Sequence, residues 1–455
     1  MPNLVYSKSS KRISWETNTG VATLSHVGIA SNKHDLKQIE FQTILGVLKI
    51  EQSSGPSSEY LVCVTEGSFK GIYRNAEIYK IERIRFINTC NPEKTEEITS
   101  QIKGFIQSHD FYYFLGSSFL EDEFEWNKHM KVNLLRYSEQ DSCAYKLSHS
   151  PHLGKDTDFE ISTLFCGFFI ESIFKASAEL YNMTLLSLVS SSKVGTRYLC
   201  RGIDADGNVS MFVKTRFVIR CNKQTMFDFT IVRGSVPLFW SQKEYGFPTK
   251  VSICADEPGA HKAFIKHFEK LTREYGKIHV VNLLGEKKDE KLLTSSFSKL
   301  LDTEEIPYTE FDLNAYANDY DNMKFLLYFK LQDVCMHDVV FRVNCLDCLD
   351  RTNVAQSLIC MFYLEKIVHD REVLKRMQEC WSENGNALSN LYTGSDAMKG
   401  DLALQGKRSL MGYMDDIIIS ATRLINGRFI DKQKHGIINT LLEKSGDNTY
   451  NEDNE

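Results

Sequence analysis

Apolar residues recur along this chain in two different periods, and the change of period divides it. Through residues 1 to about 148, short apolar runs alternate with polar turns, as in Val21-Ala-Thr-Leu24, Ile44-Leu-Gly-Val-Leu-Lys-Ile50 and Tyr60-Leu-Val-Cys-Val-Thr65. Run length and β-branched content predict a mostly β region. The polar stretch Ser148-His-Ser-Pro-His-Leu-Gly-Lys-Asp-Thr-Asp158 reads as a linker, placing a boundary between residues 1–148 and 149–443. Beyond it, Asp206-Gly207 is a hairpin cue. Residues 258–276, with Ala263, Phe264, His267, Phe268 and Leu271 on one face, predict an amphipathic helix in which His267 is a helix-face residue rather than a ligand. Val280-Val-Asn-Leu-Leu284 then reads as a buried parallel strand, so helix and strand alternate as in α/β folds. The segment 444–455 has too few apolar residues to fold and is expected to be a disordered acidic tail.

One stretch changes period within itself. Val339-Val-Phe-Arg-Val-Asn344 is a strand pattern, and after the loop the apolar positions 354, 358, 359, 362 and 363 fall at helical spacing. Between them lies Cys345-Leu346-Asp347-Cys348-Leu349-Asp350-Arg351, a Cys-x5-Arg loop between strand and helix. Such a loop wraps backbone N–H groups around an anion, the helix start adds partial positive charge, and Arg351 offers a bidentate fork. The same groups lower the pKa of a thiol at the floor, so Cys345 is expected to be a nucleophilic thiolate. Of the twelve cysteines only Cys345 has an arginine six residues on. Asp347 and Asp350 lie inside the loop, where bound phosphate raises a carboxyl pKa and equips it to protonate a leaving alkoxide. A zinc half-site from Cys345 and Cys348 lacks a second Cys-x-x-Cys, and a thioredoxin-like pair leaves Arg351 unexplained.

Composition narrows the rest. The 455 residues are 42% hydrophobic and 25% charged, ordinary globular values, with room for two or three domains. A net charge of -6 gives no bulk reason to bind nucleic acid or an anionic membrane. Cysteines without a repeating framework lead us to expect a reducing, intracellular setting. No apolar run reaches the ~18 residues of a membrane span, and the start lacks the apolar core of a secretory signal.

The segment Arg342-x-Asn344-Cys345-x-Asp347-Cys348-Leu349-Asp350-Arg351-Thr352-Asn353 resembles the signature of the Sac (suppressor-of-actin) phosphoinositide phosphatases. Further matching stretches are Phe124-x-Trp126-Asn127, Gly195-Thr-Arg-Tyr198 with Arg201-Gly202, Arg233-Gly-Ser-Val-Pro-Leu-Phe-Trp-Ser-Gln242, Tyr392-Thr-Gly-Ser-Asp-Ala-Met-Lys399 and Lys407-Arg408, so the likeness covers roughly residues 120 to 435. Trp126 is read as a packing residue. The resemblance implies a β-rich amino-terminal domain followed by an α/β catalytic domain. Its chemistry is hydrolysis of phosphatidylinositol 4- or 3-phosphate without a metal or other cofactor.

On that reading Cys345 attacks phosphorus, Arg351 and loop amides hold the oxygens, Asp347 (with Asp350 as second choice) is the acid, and Thr352 hydrogen-bonds the sulfur. Asn344, Cys348, Leu349, Arg197, Arg201, Lys399, Lys407 and Arg408 are the expected substrate contacts. Two departures stand out: Lys214-Thr-Arg216 replaces residues that are usually acidic in the family, and Asn314 stands where the family tends to have histidine. Alternation puts Lys214, Arg216 and Arg220 on one strand face, either a basic docking surface or a solvated edge. The expected partners are phosphoinositide lipids and a recruiting protein adaptor. The expected place is the cytosolic face of the endoplasmic reticulum or Golgi, without a transmembrane segment. Myotubularin-type lipid phosphatases, protein phosphatases and a catalytically weak phosphoinositide-binding scaffold remain as alternatives.

Overall fold

The computed structural model describes residues 3–7, 12–17, 20–25, 36–51, 57–88, 96–116, 118–140, 161–242, 251–254, 259–286, 288–316, 319–398 and 430–444. Packing divides the chain into two units, Met1–Cys166 with Gly436–Glu455, and Gly167–His435. The expected boundary at 148/149 and the tail after Lys444 lie outside the described residues.

The first unit is β-rich, as its alternating runs require. Strands β1 (Asn3–Ser7), β2 (Arg12–Thr17), β3 (Gly20–Ser25) and β4 (Leu36–Glu40) form an antiparallel sheet in the order β3-β2-β1-β4. A second set, β5 (Thr43–Ile50), β6 (Ser58–Tyr73), β7 (Ala76–Asn88) and β8 (Phe111–Leu115), pairs antiparallel in sequence order. Two helices that the β pattern did not disclose lie on it: α1 (Glu96–Ser108) against β7 and α2 (Lys128–Gln140) against β5. In α1, Thr99, Ile102, Phe105 and Ile106 are buried at helical spacing. Trp126 is fully buried, edge-on to Phe111 with centroids 5.2 Å apart, which is the packing role expected of it. The next residue, Asn127, donates from Nδ2 to the carbonyls of Leu45 and Ser162, satisfying an amide that is itself fully buried.

The second unit is a mixed α/β layer. Strand β9 (Thr163–Ala176) enters it at Gly167 and continues antiparallel through β10 (Glu179–Val189), β11 (Val213–Cys221) and β12 (Gln224–Arg233). After a small ribbon of β13 (Trp240–Gln242) and β14 (Val251–Ile253), strands and helices alternate. They are α3 (Ala260–Tyr275), β15 (Ile278–Asn282), α4 (Lys288–Thr303), β16 (Tyr308–Glu310), α5 (Tyr320–Leu331), β17 (Val340–Asn344), α6 (Asp350–Leu364) and α7 (Arg371–Thr393); α8 (Asp431–Leu441) comes later, its residues from Gly436 belonging to the first unit. The order within the unit is β16-β15-β17-β12-β11-β10-β9, and β16, β15, β17 and β12 run parallel. Strand β17 is therefore interior, with Arg342 opposite Val232 on one side and Val280 on the other. Helix α6 follows it and is buried on nearly every face, which accounts for its apolar run from Val354 to Leu364.

Two expectations need correction here. Asp206-Gly207 does sit in a tight turn, with Gly207 at φ +84, but a single Ile203–Val209 bridge closes it and no strands flank it. Strand β11 is no solvated edge, because β10 and β12 pair with it on both sides. Its face is also largely neutralised. Arg216 is paired with Asp228, its Nε donating to Oδ1 at 2.8 Å, and Lys214 stands 4.0 Å from Glu274 and over the Tyr275 ring.

Candidate active site

The loop Cys345–Leu349 leaves the carboxyl end of β17 and runs straight into α6. Strand ends of a parallel layer point their loops to one side, and a helix start adds unsatisfied N–H groups there. No side chain caps α6: Leu349 occupies the N-cap without a cap hydrogen bond. The turn is sharp because Cys348 adopts φ +55, a left-handed conformation that a side chain rarely accepts. That geometry aims the Cys348 amide at the Cys345 sulfur, N to Sγ 3.1 Å.

Cys345 is 2% exposed, at the floor of the loop. Burial works to raise its pKa, but the Cys348 hydrogen bond, the Arg351 charge and the Thr352 hydroxyl together bring it down to about 6, against the opposing charge of Asp347. Thr352 Oγ1 is buried and has no hydrogen-bond partner among the described residues. Cys348 takes the opposite course. Its thiol is buried, donates to Gly234 O at 3.0 Å and to Cys345 O at 3.4 Å, and is pushed up by burial and by the neighbouring thiolate. One thiol is thus prepared to ionise and the other to stay protonated.

Arg351 sits beside the sulfur but not alone. Its Nη1 and Nη2 reach both carboxylate oxygens of Glu290 on α4, at 2.9 and 2.7 Å, and Nη1 also donates to Leu283 O at 3.2 Å. Asp347 faces two arginines that arrive from the segment after β10. Arg201 Nη2 is 2.6 Å from Oδ1, and Arg197 Nη1 is 3.6 Å from Oδ2. Burial opposes ionisation, yet the charges of Arg201 and Arg197 prevail and hold the Asp347 carboxyl well below the usual carboxylate range. Arg201 also donates to Leu346 O at 3.0 Å and Gln242 Oε1 at 2.6 Å, and its guanidinium lies over the Trp240 ring. Asp350, in the first turn of α6, accepts from the Met398 amide at 2.8 Å.

Of the residues singled out from sequence, Cys345, Asp347, Arg351, Thr352, Arg197 and Arg201 converge around the loop. Asn344, at the end of β17, and Cys348 and Leu349, within the loop, are buried; Asn344 accepts from Arg342 and donates to Asn282, tying strand ends together. Lys399, Lys407 and Arg408 lie outside the described residues. The stretch from Arg233 to Gln242 reaches the site with both polar ends, through the Gly234 carbonyl and Gln242.

Sequence reasoning missed Glu290, and it met Arg233 and Arg342 only as members of matching stretches, without assigning a role to these two fully buried guanidiniums behind the loop. Arg233 donates to Asn353 and Arg342 to Ser235 O and Asn344; burial lowers both to about 10. An arginine within a β-branched strand, as in Val-Phe-Arg342-Val, was the available signal, since such a charge is buried only for a reason.

The sequence is similar to those of known proteins over most of its length. A family model described as the SacI homology domain matches residues 42–318, more than half of the chain. Inositol-1,4,5-trisphosphate 5-phosphatase 1 of Schizosaccharomyces pombe is 31% identical over 71% of this chain and 32% of its own length. Phosphatidylinositide phosphatase SAC2 of Danio rerio is 31% identical over 58% of this chain and 26% of its own. Synaptojanin-1 of Homo sapiens is 29% identical over 89% of this chain, a span long enough to take in the loop, and 27% of its own. The chain spans about a third or less of the length of these curated relatives.

Proposed function

The chain belongs to the SacI homology domain family, and on that premise we propose that it is a phosphoinositide phosphatase working through a cysteinyl-phosphate intermediate. The observation that carries the proposal is the Cys345 sulfur, buried at the start of an uncapped helix, accepting from the Cys348 amide and standing in the field of Arg351. The thiolate attacks phosphorus, the phosphorus–oxygen bond to inositol breaks, and an acid supplies the leaving alkoxide with its proton. Water then cleaves the sulfur–phosphorus bond, returning phosphate and the thiol. Arg351 and the loop amides supply the charge stabilisation at the equatorial oxygens.

Between the two carboxylates the ion pairs favour Asp350 as the acid. A carboxyl held ionised by Arg201 and Arg197 is a poor proton donor, and Asp347 serves better as the group that fixes the loop to those arginines. The substrate we favour is a phosphatidylinositol monophosphate, at the 4 or 3 position, met peripherally on the cytosolic face of an endomembrane. Among the described residues no helix is long and apolar enough to cross a membrane.

Phosphate release measured with malachite green across all phosphoinositide isomers tests this directly. Wild-type chain should release phosphate from at least one monophosphate and Cys345→Ser from none. Activity that survives in Cys345→Ser would sink the mechanism. To assign the acid, Asp350→Asn should lose about 10²-fold on lipid and recover on a substrate with a good leaving group. Recovery by Asp347→Asn instead would return the role to Asp347.

A further inference from the structure

One ion pair at the site, bidentate and largely buried, involves a residue with no place in the mechanism above. Glu290, the third residue of α4, is 6% exposed, and carboxylates are seldom buried without a reason. Both of its oxygens are engaged: Oε1 with Arg351 Nη2 at 2.7 Å, Oε2 with Arg351 Nη1 at 2.9 Å and with the Gly285 amide at 2.6 Å. Burial works to raise its pKa, and the Arg351 hydrogen bonds and charge outweigh that, keeping it ionised. The carboxylate therefore meets the guanidinium end-on, across its two Nη atoms. With Leu283 O on Nη1 and the Gly285 amide on Oε2, the pair is anchored to the β15–α4 connection at two points.

An arginine has a second fork. Its Nε–H and the remaining Nη2–H form another edge, and Nε has no partner among the described residues. End-on capture by Glu290 fixes the guanidinium plane while leaving that edge for two oxygens of a phosphoryl group. We infer that Glu290 is a positioning residue, which holds Arg351 by its Nη1/Nη2 edge so that the Nε/Nη2 edge is presented to phosphate above Cys345. The inference rests on the phosphatase reading only in taking Arg351 as the phosphate ligand.

Charge and geometry make opposite claims, which is what allows a test. If Glu290 acted only through its charge, or competed with phosphate for Arg351, its neutralisation would strengthen oxyanion binding and lower the Cys345 pKa. If it positions Arg351, neutralisation loosens the fork and weakens oxyanion binding even while the thiolate becomes easier to form.

The experiment is protection of Cys345 from iodoacetamide by inorganic phosphate and by orthovanadate. It is run on full chain as wild type, Glu290→Gln, Glu290→Asp, Arg351→Gln and the double variant Glu290→Gln/Arg351→Gln. Glu290→Gln should need about 10-fold more phosphate for half-protection, with turnover on lipid down about 10- to 100-fold, mainly in kcat. Glu290→Asp, which keeps the charge, should recover part of this. In the Arg351→Gln background the second substitution should add nothing.

Equal or tighter phosphate protection in Glu290→Gln overturns the inference, as does a full additive loss in the double variant. Failure of phosphate to protect the wild type also overturns it. Should Glu290→Gln not fold, the charge-retaining Glu290→Asp decides: full protection at wild-type phosphate concentrations overturns the inference, and weakened protection supports it. Because protection needs no lipid turnover, a chain that binds phosphate but hydrolyses no phosphoinositide would defeat the proposed function while this test still reads out.

Discussion

The ionisation of Cys345 is the property on which the chemistry turns, and it can be titrated. At a pKa of about 6, the thiol is about nine-tenths ionised at pH 7, against about one part in a hundred for a thiol at its ordinary 9.0. The gain in thiolate is about 90-fold, but a thiolate three units less basic is intrinsically about 20-fold less nucleophilic, leaving a net factor of about 4. With Cys345 only 2% exposed, access reduces this further. The rate at one pH is therefore a poor criterion, and the midpoint of the rate against pH is a good one. Brief iodoacetamide pulses between about pH 4.5 and 9, read by mass spectrometry of the Cys345 peptide, give that midpoint. The exposed Cys254 and Cys335 serve as internal references. The expected midpoint is near 6. Arg351→Gln removes the nearby cation and should raise it by about one unit or more; Asp347→Asn removes an opposing anion and should lower it. A wild-type midpoint at or above about 8, or one that Arg351→Gln leaves in place, refutes the electrostatic account of the loop.

Arg201→Met should reduce turnover by about 10-fold or more, because Leu346 O and Asp347 both lose their donor; unchanged kcat with a lower Tm would make Arg201 merely structural. Asp347 is depressed in the folded state, so it contributes stability present above about pH 4 and lost as pH falls below it. Arg201→Met should flatten that acid limb in a pH series of thermal melts. Trp126→Ala should destabilise the chain by about 3–5 kcal/mol, read by denaturant unfolding, since a fully buried indole leaves a cavity beside Phe111. Gly46→Ala should destabilise by about 1–3 kcal/mol, because Gly46 is at φ +128 and an added Cβ would lie 2.5 Å from the Met130 carbonyl group. Replacing Lys214, Arg216 and Arg220 by Gln should alter binding to anionic liposomes by less than about 1 kcal/mol per residue, two of the three being already paired with carboxylates; a steep, salt-sensitive loss would reinstate this face as a docking surface.

The local grammar of the chain determined a good deal. The change from strand period to helix period around Cys345–Arg351 placed the loop between β17 and α6, because burial on a sheet and burial around a helix demand different spacings. The amphipathic run at 258–276 became α3, bounded by Gly259 and Gly276. His267 is buried on its inner face, its Nδ1 against the Gly207 carbonyl. What periodicity could not carry was pairing across distance. That β11 lies inside the sheet, and that its cations meet Asp228 and Glu274, follows from strand order, which no single strand encodes.

The same holds at the site. The resemblance brought Arg197 and Arg201 forward, but only the fold brings them to Asp347, about 150 residues along the chain, and so decides that this carboxylate is held ionised. Glu290 left no mark of its own in the sequence, being one acid in a charged helix start. Its meaning arises where the β15–α4 connection passes Arg351, because a buried charge is defined by the partner that tertiary packing supplies.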